Sequence, residues 1–196
     1  MTINFPNIIN QDGQAHYHGI IINAEENLKF FNELLHKIEW ANENLIMFGK
    51  EITTKRKVAF YADSRIDYTY SNKTKKGLEW TPLLMEIKQK VSAYTGCNYN
   101  ACLMNLYHDG NEGMGWHCDD EKEIIPNSSI ASLSFGAERK FALKHKVSKE
   151  SHSIILQNGS LLEMLGSFQK NWVHSLPKSK KITNSRINLT FRQMIS

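Results

Sequence analysis

The sequence predicts an α+β, mainly β fold: a double-stranded β-helix, or jelly roll, with N-terminal helices packed on one outer face. Two segments before Gly96 carry apolar residues at helical spacing, and after Gly96 the pattern changes to short strand-like runs separated by turn residues. The last run, Arg186-Ile187-Asn188-Leu189-Thr190-Phe191-Arg192, alternates polar and apolar residues without a break. Many short strands after two helices imply a sandwich with helices covering one sheet.

Residues 1–22 form an N-terminal segment with no assigned element, where a loosely ordered terminus is expected. The first helix follows Asn23: Ala24-Glu25-Glu26 supplies a cap and an acidic first turn, and Leu28, Phe31, Leu34, Leu35 and Ile38 recur at helical spacing as a core-facing stripe. A second helix starts at Thr81-Pro82, with proline at the first helical position, and runs through Leu83, Leu84, Ile87 and Val91 to Gly96 as a stop. Residues 23–100 are therefore mainly helical. Residues 101–196 supply the jelly-roll core, with strands at Ala101–Tyr107, Ser129–Phe135, Ser153–Leu156, Ser160–Leu165 and Arg186–Arg192. Breaks fall at Asp109-Gly110-Asn111, Asn158-Gly159 and Gly166, and Asn158-Gly159 is a tight-turn signal. No internal repeat, low-complexity tract or linker interrupts the 196 residues, a length that suits one domain with one sizeable core.

In a strand, successive side chains point to opposite faces, so Ile187, Leu189 and Phe191 share one face and Arg186, Asn188, Thr190 and Arg192 the other. A polar strand face is ordinarily solvated. In a jelly roll the same alternation has a second reading, in which the apolar face packs toward the helices and the arginine face lines the cavity inside the roll.

His117-Cys118-Asp119 places an imidazole and a carboxylate two positions apart, which on an extended segment aims both at one point. An H-x-D alone more often marks a polar turn. His174, in Asn171-Trp172-Val173-His174-Ser175, could complete two histidines and one carboxylate on one face of an ion, the usual cage for non-haem Fe(II) in oxygenases. Such an oxygenase needs electrons, and a chelating 2-oxoacid such as 2-oxoglutarate supplies them. Its distal carboxylate calls for the planar fork of an arginine. Arg186 or Arg192 would provide that fork, with Asn188 and Thr190 on the same face and Asn105-Leu106-Tyr107 as a second polar pair at strand spacing.

The order Asn105-x-Tyr107, His117-x-Asp119, His174 and Arg186-x-Asn188-x-x-x-Arg192 resembles the AlkB family of Fe(II)/2-oxoglutarate nucleic-acid dealkylases, and the likeness extends from about Phe48 to the C-terminus. It is greatest to the branch that repairs duplex DNA, through Phe48-Gly49-Lys50, Arg56-Lys57, Tyr68-Thr69-Tyr70-Ser71 and His117-Cys118-Asp119-Asp120-Glu121. The resemblance implies that His117, Asp119 and His174 hold Fe(II). It implies that Asn105, Tyr107, Arg186, Asn188, Thr190 and Arg192 bind 2-oxoglutarate, and that residues 23–100 include the nucleotide-recognition region.

On the substrate side the resemblance makes Phe48 an aromatic finger that fills the gap left by an extruded base, lowering the unstacking cost of a few kcal/mol. A lone Phe is otherwise a core residue. Tyr68 and Tyr70 would present their rings to the flipped base, against the plain alternative of cross-strand packing. Asp120 and Glu121 belong to an acidic run that is ordinarily a solvated face; by resemblance Glu121 contacts the base, and a carboxylate there favours a cationic, methylated ring. Arg56 faces the phosphate backbone or braces the pocket, and Lys144 and Lys146 match a DNA-touching loop.

The implied function is an oxidative demethylase that repairs N-alkylated bases such as 1-methyladenine and 3-methylcytosine in DNA. It would use Fe(II), 2-oxoglutarate and O2 and release succinate, CO2 and formaldehyde. Two alternatives stand beside it: a 2-oxoglutarate oxygenase acting on RNA or protein, and a non-catalytic nucleic-acid-binding module with a vestigial metal site. The formal charge of +4 favours an anionic partner modestly. Lys55-Arg56-Lys57, Lys73-Thr74-Lys75-Lys76, the segment Lys144 to Lys149 and Lys178-Ser179-Lys180-Lys181 would form a nucleic-acid footprint if they surround one pocket. Three cysteines without a CxxC pair suggest neither a disulfide framework nor a zinc finger. No signal segment or membrane-length apolar run is present. A soluble, intracellular monomer is expected, cytoplasmic in a bacterium and nuclear in a eukaryote, with alkylated DNA as partner and RNA as the alternative.

Overall fold

The computed structural model describes residues 5–47, 50–63, 66–70 and 73–195. In chain order the elements are β1 (Gln14–Ile20), α1 (Ala24–Lys37), β2 (Ala41–Met47), β3 (Lys50–Ala62), β4 (Asp67–Tyr70), β5 (Lys73–Lys76), α2 (Pro82–Thr95), β6 (Ala101–Tyr107), β7 (Met114–His117), β8 (Ile130–Gly136), β9 (Arg139–His145), β10 (Ser151–Leu156), β11 (Ser160–Leu165), α3 (Phe168–Asn171), β12 (Trp172–Leu176) and β13 (Arg186–Arg192).

Local chemistry sets the helix ends. The Asn23 side chain accepts from the Glu26 amide at 2.9 Å and donates to the Glu26 carboxylate at 3.0 Å, a reciprocal cap at the start of α1. At α2, the Thr81 hydroxyl accepts from the Leu84 amide at 3.2 Å. Gly96, at φ 70°, closes the helix by donating to the Ser92 carbonyl, a left-handed conformation that favours glycine.

The buried face of α2 is Leu84, Ile87 and Val91, within the expected stripe. In α1 the buried residues are Asn27, Phe30 and Leu34, with Phe31 and Leu35 partly buried, while Leu28 is 65% exposed. Leu34 and Ile38 are buried as expected, so the stripe packs on the core except for Leu28, and Asn27 and Phe30 extend it on one side. The cause is a tertiary contact: Phe30 stands edge-on to Phe135 of β8, ring centroids 6.3 Å apart.

Two sheets form the sandwich. The larger has seven strands in the order β1-β11-β8-β13-β6-β3-β2, and the smaller has four in the order β10-β9-β12-β7. The jelly roll with helices on one outer face is therefore borne out. One core cluster lies between the large sheet and the helices, joining Phe30, Leu34, Leu84 and Val91 to Ile187, Leu189 and Phe191. The second lies between the sheets, with Phe141, Leu143, Met164, Phe168 and Trp172.

The N-terminal segment departs from the expected loose terminus. Gln14–Ile20 forms β1, which pairs antiparallel with β11, and Ala15 is fully buried. Its sequence, Gln-Ala-His-Tyr-His-Gly-Ile, has little period-two contrast, so only its partner reveals it as a strand. The expected helical region likewise contributes β2 and β3, and β3 pairs with β6 from Lys57 to Ala62. Val58, Ala59, Phe60 and Tyr61 are all buried, so this strand is covered on both faces and shows no alternation.

β13 lies between β8 and β6, and all seven of its residues are buried. Its apolar side chains join the helix-facing cluster. Its polar side chains face the space between the sheets, and Arg186 and Arg192 are each 2% exposed, which overturns the solvated reading of that face.

Candidate metal centre

β7 ends at His117, and the chain leaves it through Cys118 to Asp119. β12 pairs antiparallel with β7 and sets His174 directly opposite His117. The two imidazole centroids are 4.2 Å apart, and His117 Nε2 is 4.0 Å from Asp119 Oδ1. One donor atom from each of His117, Asp119 and His174 lies within 4.8 Å of the others, the only such cluster among the described residues.

Each member is oriented by its neighbours. His117 Nδ1 donates to the Gly115 carbonyl at 2.8 Å, which fixes the ring with Nε2 toward Asp119. The Asp119 amide donates to Gln169 Oε1 at 2.9 Å, anchoring the loop between the ligands to α3. His174 is 3% exposed and packed on Phe141, centroids 5.3 Å apart. Burial pushes its pKa down to about 3 against the opposing pull of Asp119, so the ring is a neutral imidazole. Burial alone would raise the Asp119 carboxyl, but Arg192, followed by His174 and His117, holds it below the usual carboxylate range.

Two imidazoles and a carboxylate are the donor set for a divalent transition metal, and they fit Fe(II) with coordination positions left over. His174 Nδ1 is buried with no hydrogen-bond partner among the described residues.

β13 and β6 continue the site. Arg186 pairs in register with Tyr107, and Asn188 with Asn105. Arg186 Nη2 donates to Ser134 Oγ at 2.9 Å and to Asn188 Oδ1 at 2.6 Å, and its guanidinium lies 5.7 Å from the Tyr107 ring centre. Asn188 in turn donates to Thr190 Oγ1 at 2.8 Å and accepts from Ser132 Oγ at 2.9 Å. Burial lowers the Arg186 pKa to about 10, and Arg139 acts in the same direction. No described carboxylate forms an ion pair with Arg186, and its Nε is buried without a partner. A desolvated cation hydrogen-bonded to neutral groups is a receptor for an anion.

Arg192 lines the same cavity and also reaches the metal loop. Its Nη2 is 3.0 Å from Asp119 Oδ1 and its Nη1 is 3.7 Å from Glu121 Oε1. Both arginines of β13 line the cavity that holds the triad, and of the two Arg192 is the one ion-paired with the acidic groups of the metal loop.

A model of the 2OG-Fe(II) oxygenase superfamily matches residues 13–192. The chain belongs to that superfamily. The oxygenase is 38% identical to human "DNA oxidative demethylase ALKBH2" over 191 residues, covering 93% of this chain and 70% of that relative. It is 37% identical to the bovine protein of the same name, again over 93% of this chain, and spans 66% of that relative's length. These likenesses place it in the AlkB family. The solved structure of OsALKBH1 superposes with a TM-score of 0.67 at 14% identity, covering 96% of this chain and all of that one, and shows the shared fold.

The oxygenase brings some of the expected substrate residues to the cavity and leaves others away from it. Arg56 and Glu121 line it. Arg56 points inward, ion-paired with Glu43, and both are buried. Asp120 is exposed, absent from the cavity wall, and accepts from Cys118 Sγ at 3.2 Å. Lys146 turns back onto the protein, with Nζ 2.9 Å from the Gln169 carbonyl. Lys144 lies on β9 with its ammonium 5.7 Å from the Trp116 ring centre. Tyr68 and Tyr70 are on β4, in register with Lys75 and Lys73 of β5. Phe48 lies outside the described residues.

Sequence reasoning missed Glu43, Ser132, Ser134 and Gln169. The two serines had a readable signal, since Ser132-Leu133-Ser134-Phe135 alternates as β13 does. Gln169 had none, because Asp119 is 50 positions away, and Glu43 meets Arg56 only through the register of β2 on β3. Arg139 was also missed: 1% exposed, it donates to the Glu112 and Pro177 carbonyls at 2.8 and 2.9 Å and braces the cavity end beside Tyr107.

Proposed function

We propose that this oxygenase removes N-methyl groups oxidatively from DNA bases, consuming 2-oxoglutarate and O2 and releasing succinate, CO2 and formaldehyde. The carrying observation is that a buried arginine without an acidic partner, Arg186, faces the same cavity as the His117, Asp119 and His174 triad. The DNA assignment is supported by likeness to proteins named DNA oxidative demethylase over 93% of the chain.

In this reading His117, Asp119 and His174 hold Fe(II), which together with 2-oxoglutarate and O2 supplies the oxidation of the methyl carbon. Arg186 takes the distal carboxylate of the diacid, with Asn105, Tyr107, Asn188 and Thr190 fixing its orientation. Arg192 keeps Asp119 ionised. Met114, Phe141 and Leu176 form apolar wall and restrict water near the reacting groups. Glu121 places a carboxylate in that wall, where it would accept from the exocyclic amino group of the base. Every group named lies on one chain, so a monomer suffices. The free thiols of Cys97, Cys102 and Cys118 and a ferrous cofactor both suit a reducing compartment. Among the described residues, no helix is long and apolar enough to cross a membrane.

The test is anaerobic reconstitution with Fe(II), then addition of O2 and 2-oxoglutarate. Formaldehyde is measured from methylated duplex DNA, single-stranded DNA, RNA and peptide side by side. Formaldehyde from either DNA is the expected result. Release from RNA or peptide alone would transfer the activity to that substrate.

A further inference from the structure

We infer that Trp116, with Lys144 beside it, is a stacking platform for a nucleobase flanking the target in the substrate strand. The inference rests on the nucleic-acid reading above and adds a contact to it. Trp116 is 51% exposed, whereas Trp172 is fully buried and Trp40 and Trp80 are packed against the helix-facing core. It stands on β7, the edge strand of the smaller sheet, between two residues that line the cavity, Met114 and His117. The His117 side chain is 27% exposed, which puts it at the cavity rim, and Trp116 precedes it directly.

The chemistry beside the ring supports a nucleotide as the occupant. On β9, Phe141 and Leu143 point into the core, so Lys144 between them and His145 points outward, and its ammonium stands 5.7 Å from the indole centre. The cation is within reach of the ring face and also of a passing phosphate. An exposed aromatic face next to a lysine is the pairing that binds single strands without sequence preference, through base stacking and backbone charge.

The experiment uses the full chain as wild type, Trp116→Ala and Trp116→Phe. Because Trp116 is at the surface, both variants are expected to fold. The metal-free proteins are titrated with an unmethylated single-stranded oligonucleotide, following tryptophan emission and anisotropy. Wild type should show quenching that Trp116→Phe lacks. Affinity should fall about tenfold in Trp116→Ala, the order set by one base–aromatic stack, and by less than about threefold in Trp116→Phe, which keeps a stacking ring. With the loaded enzyme, the ratio of KM for a methylated mononucleotide to KM for a methylated oligonucleotide should drop by the same factor in Trp116→Ala.

Equal affinity of Trp116→Ala and wild type, or no oligonucleotide binding by wild type, overturns the inference. So does an equal rise in KM on the mononucleotide. Failure of the demethylase reading looks different: no methylated substrate is turned over by wild type, while the metal-free titration still reports whether Trp116 stacks.

Discussion

Arg192 Nη2 sits 3.0 Å from Asp119 Oδ1, so the buried metal-ligating carboxylate already has a cationic neighbour from β13. Both side chains are almost wholly buried, at 2% and 8% exposure. Removing one partner from such a pair commonly destabilises a fold by about 3–5 kcal/mol, since the other charge is left without compensation. Arg192→Met should therefore lower the melting temperature of the metal-free protein. Mn(II) should restore part of the loss by supplying positive charge at Asp119. The metal-induced shift in Tm, followed by calorimetry, should be larger in the variant than in wild type; equal shifts would contradict the role given to Arg192.

Arg186 should govern co-substrate affinity. A charge-assisted hydrogen bond is worth about 1.5–3 kcal/mol, so Arg186→Gln should raise KM for 2-oxoglutarate by roughly 10- to 100-fold. The same variant should change KM little for 2-oxobutyrate, which has no distal carboxylate. If both 2-oxoacids lose equally, Arg186 supports the fold and does not read the diacid.

Metal ligands and their supports should separate by magnitude. Residues that orient a ligand typically contribute about 10- to 100-fold in metal affinity, so Gln169→Ala, which frees the Asp119 amide, should weaken Mn(II) binding within that range. His174→Ala removes a ligand and should exceed it. Isothermal titration of the two variants decides the matter, and similar losses would remove His174 from the triad.

The buried pair of Glu43 and Arg56 should show strong energetic coupling. Glu43→Ala leaves the guanidinium in the cavity wall and should cost about 3 kcal/mol or more, whereas Glu43→Leu combined with Arg56→Met should recover most of it. Urea denaturation of the single and double variants measures the coupling. Additive losses would mean that the two side chains act independently.

Both helices could be read along the chain because their signals are local: Asn23 and Glu26 cap each other three residues apart, and Pro82 and Gly96 bracket α2. The strands Ala101–Tyr107, Ser160–Leu165 and Arg186–Arg192 match the expected bounds, since period-two contrast or flanking turns mark them. The His117-x-Asp119 spacing and the polar face of β13 likewise carried the metal and diacid chemistry in the order of residues. Pairing across the fold settled the rest. β1 is a strand because β11 lies beside it, Leu28 is exposed because Phe30 meets Phe135, and Arg192 and Arg186 diverge because only one of them finds Asp119 within reach. Caps and periodicity act between residues a turn apart, whereas the partner of a buried charge or an edge strand comes from segments up to about 150 positions away and exists only once the sheets have closed.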